Sequence, residues 1–443
     1  MSSASTRPTR IARIFITSAL TLFAVWYGYG CLKTTLFNLW SYVFLNASPA
    51  LDFQYSGARL FIHGKNPFLV YLSGDPHKEI ILYQSPNYAQ ALYLLLAPLG
   101  MLKFDLARHI WSILNYLFAL LSLGILSWRL HLNAMLTIAF SLLCLSQPAF
   151  GILLDNGQHG LLILVAVVLG VALMERTGSG ASRTGRMLYG LTYLKYSFAP
   201  AFAAGLIRCK GTKWFLWSLI PAAAGVAVFV LAFGVNQESI LGPVLCAQDS
   251  VNMTSPQMSD LMTMVQVIAP EIYSEHMMAL ALTFALLNFA LPFLLPSRDP
   301  WEMASFCAVC SLSFIKHLTY DQVLLWIPLA WFLGNVNKTR LSWVGLGLLS
   351  WFWMTGEYAS MLKPFFSVPA YEQVSIQIGF SINILLMCLL FWSAHRRHRS
   401  SSATSSPPPH GRSEPNRRAL QTLASGTRQI TRYSAPEGFR IDS

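Results

Sequence analysis

The sequence predicts an all-α polytopic membrane protein, on three observations. Charge is scarce: 11% of the 443 residues are Asp, Glu, Lys or Arg and 54% are hydrophobic, whereas water-soluble domains are about a quarter charged. Apolar runs recur along the chain between short polar connections, the pattern of repeated membrane helices rather than of one large soluble core. The short alternating segments that a membrane barrel needs are absent.

Arg7, Arg10 and Arg13 lie in the first 13 residues, with no acid among them, at the start of the first apolar run, 11–31. This run is longer than a signal-peptide core and has no small-residue cleavage site, so it is expected to stay as a span. Further segments follow at 88–103, 107–128, 134–153, 158–174, 187–207, 214–234, 276–296, 302–316, 318–334, 341–358 and 374–394. Several of these are shorter than the ~20 residues a perpendicular helix needs, so about 11–12 membrane segments are expected in all. The main polar connections are 50–87, 235–275 and 359–373. After Ser400 the chain reads "SSATSSPPPHGRSEPNRR", which cannot bury a core. Residues 395–443 are therefore expected to form a basic disordered tail.

The net charge of +12 sits mostly at the ends: three arginines in the first 13 residues, and nine from His395 onward against Glu414, Glu437 and Asp442. Positive charge flanking spans marks the cytoplasmic side, so both termini are expected there and nucleic acid is not an expected partner. Seven cysteines lie almost all in apolar runs. "CAVC" at 307–310 has redox spacing without a βαβ context and reads as two small hydrophobes one helical turn apart.

Counting crossings from a cytoplasmic N-terminus puts 50–87 outside. The stretches "ERTGSGASRTGR" (Glu175 to Arg186) and "RCKGTK" (Arg208 to Lys213) are both basic and both expected inside. Segment 187–207 between them then has to be a hairpin of two half-helices meeting near Lys195. Upstream, either the "DNGQ" turn (Asp155 to Gln158) faces the cytoplasm or one segment, foremost the short 88–103, does not span. Residues 235–275, His317 to Asp321 and Asp52 come out on one face.

Three places could carry chemistry. Asp52 opens "LDFQYSGARLFIHGKNPF" just past the first span, with Tyr55, Arg59 and His63 on one face if this stretch is helical. Such a group is either functional or part of a solvated juxtamembrane helix. In "IKHLTYDQ", His317, Tyr320 and Asp321 share a helical face, either as a working cluster or as a hydrogen-bonded structural pair. One His and one Asp are too few ligands for a metal. Lys195 lies mid-segment in "GLTYLKYSFAP", at an insertion cost of ~2.5–3.5 kcal/mol. It either holds an anion such as phosphate or snorkels to the surface. Weaker signals are "DNGQH", with Asn156 and Gln158 around an Asn-Gly turn, and "YQSPN" from Tyr83, whose Pro86 is expected to open the next helix.

Read in order, the acid after the first span, "GKNPF", "YQSP", "NGQ", "GLTYLKYSFAP" and "HLTYDQVLLWIP" resemble glycosyltransferase family 87, over about residues 10 to 395. Asn66 and Phe68 stand where that family's loop carries an acid and a tyrosine. The resemblance implies a GT-C-type fold and a membrane mannosyltransferase using polyprenyl-phosphate mannose, without cofactor or metal. It implies transfer to a lipid or glycan acceptor on the extracytoplasmic side of the inner (plasma) membrane, with inversion. Asp52 would be the general base. Lys195, His317 and Arg59 would be the candidates for phosphate, with Tyr55, Tyr83, Asn156, Gln158, Tyr320 and Asp321 completing the substrate-binding set. The rival reading is a transporter or flippase, which should show internal repeats that this sequence lacks. A scaffold would not need Asp52, Lys195 and His317 at such depths.

Overall fold

The computed structural model describes residues 7–51, 53–82, 85–176, 179–247, 254–354 and 363–404. Two expected site residues, Asp52 and Tyr83, lie outside the described residues, as does 405–443 of the expected disordered tail 395–443; residues 395–404, expected in that tail, instead continue the helix Val368–Thr404. Among the described residues every regular element is helical.

Local signals set the helix boundaries. The Asn133 side chain accepts from Leu136 N at 2.9 Å and starts Ala134–Ser146. Asp299 accepts from the backbone of Trp301 and Glu302 at 3.0 and 2.8 Å, and Pro300 occupies the first turn of Pro300–Ser311, where its missing N–H costs nothing. Gly157, left-handed at φ 66°, ends Pro148–Asn156, as expected of a C-terminal glycine.

The core is built on two helices, Gly160–Met174 and Pro300–Ser311. Every residue of Pro300–Ser311 after Pro300 is buried, as a helix apolar all round must be. Ala199–Lys210 packs on it so closely that a Cβ on Gly205 would meet Cys307 Sγ at 2.5 Å. Cys307 Sγ donates to Ala201 O at 3.2 Å and Cys310 Sγ touches Met387 Sδ at 3.3 Å, so the "CAVC" thiols are packing groups.

Around this core, four helices are long and apolar enough to cross a membrane: Phe104–Arg129, Thr212–Phe233, Pro270–Leu294 and Ala370–Arg399. A fifth forms if Ala134–Ser146 and Pro148–Asn156, bent by 51°, act as one. Their outer faces expose Met135, Leu231, Leu282 and Leu286, an arrangement that lipid solvates and water does not. The chain has the helices of a membrane protein. The expected count of about twelve segments is not reached among the described residues. Segments 88–103, 302–316 and 318–334 become the shorter helices Gln90–Gly100, Pro300–Ser311 and Trp326–Gly334, because these runs are apolar for packing against protein.

Polar groups collect at two opposite ends. At one, Arg129 pairs with Glu175, which also accepts from Trp301 Nε1 at 3.1 Å. There Arg397 pairs with Glu302, and the Arg186 guanidinium lies 3.6 Å from the Trp214 ring centre. At the other, Ala50 N donates to Asp155 O at 3.0 Å, which puts the Asp155–Gln158 turn beside the stretch after the first helix. Gln90–Gly100 keeps both of its ends at this level: Gln90 Nε2 donates to Ser239 O at 2.8 Å, and Leu102 O accepts from Tyr55 OH at 2.6 Å. Pro86 does not open this helix, which starts four residues later at Gln90.

Segment 187–207 breaks at its lysine. Ser179–Gly190 runs into a 3₁₀ turn, Leu191–Leu194, then Lys195 is extended (φ −114°, ψ 113°), and Ala199–Lys210 follows. Tyr189 OH donates to Phe202 O at 3.1 Å across 13 residues, a gap that a straight helix would stretch to about 20 Å. The chain doubles back here.

Candidate functional site

The break at Lys195 directs its ammonium into the protein. Nζ donates to both carboxylate oxygens of Asp321, at 2.7 and 2.5 Å, from a partner 126 residues away in the chain. Asp321 is fully buried, and its Oδ2 also accepts from Leu318 N at 3.1 Å, capping the 3₁₀ turn Thr319–Leu325. The rings of Tyr320, Phe198 and Tyr88 surround the ammonium at 5.1, 5.3 and 5.9 Å. Lys195 therefore does not snorkel. A carboxylate within the protein offsets its burial, with π faces on its open sides.

His317, Tyr320 and Asp321 do not share an α-helical face as expected. Leu318 is extended (φ −95°, ψ 159°) and the helix that follows is 3₁₀, so His317 and Asp321 part company. His317 turns instead to Asp260, with Nδ1 3.5 Å from Oδ2 and both side chains buried. Asp260 is anchored as the N-cap of Leu261–Ile268, accepting from Thr263 N at 2.7 Å and Thr263 Oγ1 at 2.8 Å. Burial pushes the Asp260 carboxyl up to about 6, against the Thr263 hydrogen bonds and the Lys316 charge. Burial, helped by the Lys195 charge, pushes His317 down to about 3. At neutral pH the histidine is thus an uncharged imidazole beside a carboxylate. Gln322 Nε2 donates to Gln257 O at 2.7 Å, a second contact between residues 235–275 and this part of the chain.

The Asn-Gly turn is the third wall. Asn156 ends its helix half-buried, and Gln158 Oε1 accepts from Tyr88 OH at 2.8 Å. Gly157 O accepts from Trp111 Nε1 at 2.8 Å. A Cβ on Gly157 would sit 3.1 Å from the Cβ atoms of both Ala50 and Phe53, so this glycine lets the chain on either side of Asp52 lie against the turn. Phe53 is buried and stacks on Trp111 at 5.3 Å and 7°.

Tyr55 and Arg59 are not brought to Lys195. The helix runs from Tyr55 to Ile62 with His63 at its C-terminal end, so Tyr55 and Arg59 share a helical face as expected, while Asp52 lies outside the described residues. Tyr55 OH accepts from Arg59 Nη1 at 3.2 Å while donating to Leu102. Arg59 instead lines a separate cavity of about 520 Å³ with His63, Lys65 and Glu79. Asn66 caps the helix Pro67–Leu72 by accepting from Phe68 N at 3.1 Å, and Phe68 is a buried anchor against Phe229. The two departures from the family pattern are therefore structural groups.

Two residues that the sequence reading did not single out belong to this end. Asp260 is signalled only by an N-cap pattern, Asp before an apolar run with Thr at the third position. His159, immediately after the "NGQ" turn, is completely buried among the Phe53, Tyr88 and Trp111 rings.

No protein-family model, no curated protein and no solved structure matches this chain.

Proposed function

We propose that the protein is a membrane glycosyltransferase of the GT-C type. In this reading it transfers a hexose, mannose by the family resemblance, from a polyprenyl-phosphate sugar to a lipid or glycan acceptor. The observation that carries the proposal is the convergence at one end of the bundle of Lys195, Asp321, Tyr320, His317 and Gln158 with the backbone flanking Asp52. These groups come from four distant stretches of a chain otherwise poor in charge. The basic loops and the last arginine-bearing helix lie at the other end, which supports reading the site end as extracytoplasmic.

The chemistry needs no nucleophile on the enzyme. Asp52 accepts the proton of the acceptor hydroxyl, and the hydroxyl oxygen bonds to the anomeric carbon. The bond from that carbon to the phosphate oxygen breaks on the opposite face, its electron pair leaving with the phosphate, so configuration inverts. Lys195 spends two of its N–H groups on Asp321, which leaves one for a phosphate oxygen. His317 is oriented by Asp260 and stands nearby. Preorganised donors of this kind stabilise the leaving charge more than water does.

The test is transfer from radiolabelled polyprenyl-phosphate mannose into membrane lipids, with and without the expressed protein. Label should appear only with the protein, and Asp52→Asn should reduce it by about 10²–10⁴. Activity of Asp52→Asn within a few-fold of wild type removes Asp52 as the base, and no transfer by wild type removes the function.

A further inference from the structure

His159 is a buried, unsatisfied group of the site end that the proposed chemistry does not use. Its side chain is completely buried, and among the described residues neither Nδ1 nor Nε2 has a hydrogen-bond partner. A neutral imidazole carries one N–H and one bare nitrogen, and buried polar groups left unpaired are rare because each forfeits its hydration. Packing does not explain the residue. The rings of Tyr88 and Trp111, each 5.0 Å away, and of Phe53 at 6.2 Å would accept a phenylalanine equally well.

The surroundings favour an anion. His159 is the N-terminal flanking residue of the 15-residue helix Gly160–Met174 and makes no side-chain cap to it. The N–H groups of a helix's first turn have no partner within the helix and carry its positive dipole end. Lys195 is within electrostatic range of the imidazole, and both stand against the same ring: Tyr88 is 5.0 Å from His159 and 5.9 Å from Lys195 Nζ. The Lys195 charge is already balanced by Asp321.

We propose that His159 is a phosphate-binding residue, donating an imidazole N–H to a phosphate oxygen that Lys195 and the first turn of Gly160–Met174 hold from the other side. This rests on the donor-phosphate reading above and adds to it a residue.

The experiment measures binding of undecaprenyl phosphate, undecaprenol and inorganic phosphate to the purified full chain in detergent, for wild type, His159→Phe, His159→Gln and His159→Asn. Wild type should bind the lipid phosphate more tightly than the alcohol. His159→Phe should keep or raise the melting temperature, weaken the lipid phosphate about tenfold or more, and leave the alcohol unchanged. In transfer assays it should raise the donor KM. Gln places an amide N–H near Nε2 and Asn near Nδ1, so recovery in one of them identifies the donating nitrogen. Should His159→Phe not fold, the same comparison is made with the amide variant that does. If inorganic phosphate alone gives the same His159 dependence, the subsite stands and its ligand is the phosphate group rather than the lipid. Wild-type affinity in a folded His159→Phe, or an equal loss for phosphate and alcohol, overturns the role of His159 while leaving the donor reading intact. A wild type that does not distinguish phosphate from alcohol overturns both.

Discussion

Replacing Lys195 by Met tests the centre of the site, and the sign of its effect depends on Asp321. Considered alone, a buried ammonium costs free energy, so its removal should leave the fold unharmed or more stable. The structure reverses this expectation. Lys195 Nζ lies 2.7 and 2.5 Å from the two carboxylate oxygens of Asp321, whose side chain is 1% exposed against 14% for the lysine. Among the described residues, Lys195→Met leaves that carboxylate with Leu318 N as its remaining hydrogen-bond donor. Stranding one member of a buried pair costs about 3–5 kcal/mol. Protonation gives an independent ceiling: holding an aspartate neutral at pH 7.5, starting from an ordinary value near 3.9, costs about 5 kcal/mol at ~1.4 kcal/mol per unit. The two estimates agree. Lys195→Met should therefore lose about 3–5 kcal/mol. Lys195→Met/Asp321→Asn should recover most of this, because the amide still accepts from Leu318 N and no charge is left unpaired. The assay is equilibrium unfolding in mixed detergent micelles of the wild type, both single variants and the double, which closes a double-mutant cycle. A Lys195→Met protein within about 1 kcal/mol of wild type, or strictly additive effects, would refute the argument, since pairs in contact couple by about 0.5–3 kcal/mol. The double variant also separates structure from chemistry. It should fold and still fail to transfer sugar, because the ammonium needed for phosphate is gone.

Gly157→Ala should cost about 1–2 kcal/mol for a left-handed residue, with further strain from Cβ contacts at 3.1 Å to Ala50 and Phe53. Transfer should fall further than the melting temperature implies, because the flanks of Asp52 move; wild-type activity would dissociate this turn from the site. His317 and Asp260 give opposite pH dependences. His317 falls from 6.5 to about 3 on folding, so stability is lost as pH drops below 6.5, by up to ~1.4 kcal/mol per unit. Asp260 rises from 3.8 to about 6, so the folded state takes its proton first and gains stability between about 6 and 4. His317→Gln should remove the loss and keep the gain, becoming more stable relative to wild type between pH 7.5 and 5 in thermal unfolding. Parallel profiles would show that the pair does not titrate this way. Finally, in a cysteine-free background, single cysteines at 180 and 211 should be labelled only from the cytoplasm and those at 63, 255 and 318 only from outside; labelling of 211 from outside sinks the hairpin.

The sequence by itself determined the class of the protein and where its chain breaks. Membrane helices are legible because hydrocarbon demands long apolar runs, and charge is so expensive there that each exception stands out. Lys195 was found that way, and the break at it follows from basic loops on both sides of one segment. The Gly157 turn was visible as an Asn-Gly pair. What the tertiary structure decided is pairing. Asp321 was known as a neighbour of His317 in the chain, but an extended Leu318 and a 3₁₀ turn send it to Lys195, 126 residues away. His317 goes to Asp260. Helical spacing describes only which side chains share a face, and these residues stand where the helix stops. Nor does composition separate a run that is apolar because it faces lipid from one buried in protein. Pro300–Ser311 and Gly160–Met174 look like spans in one dimension and prove to be core, because both environments select the same side chains and only packing tells them apart.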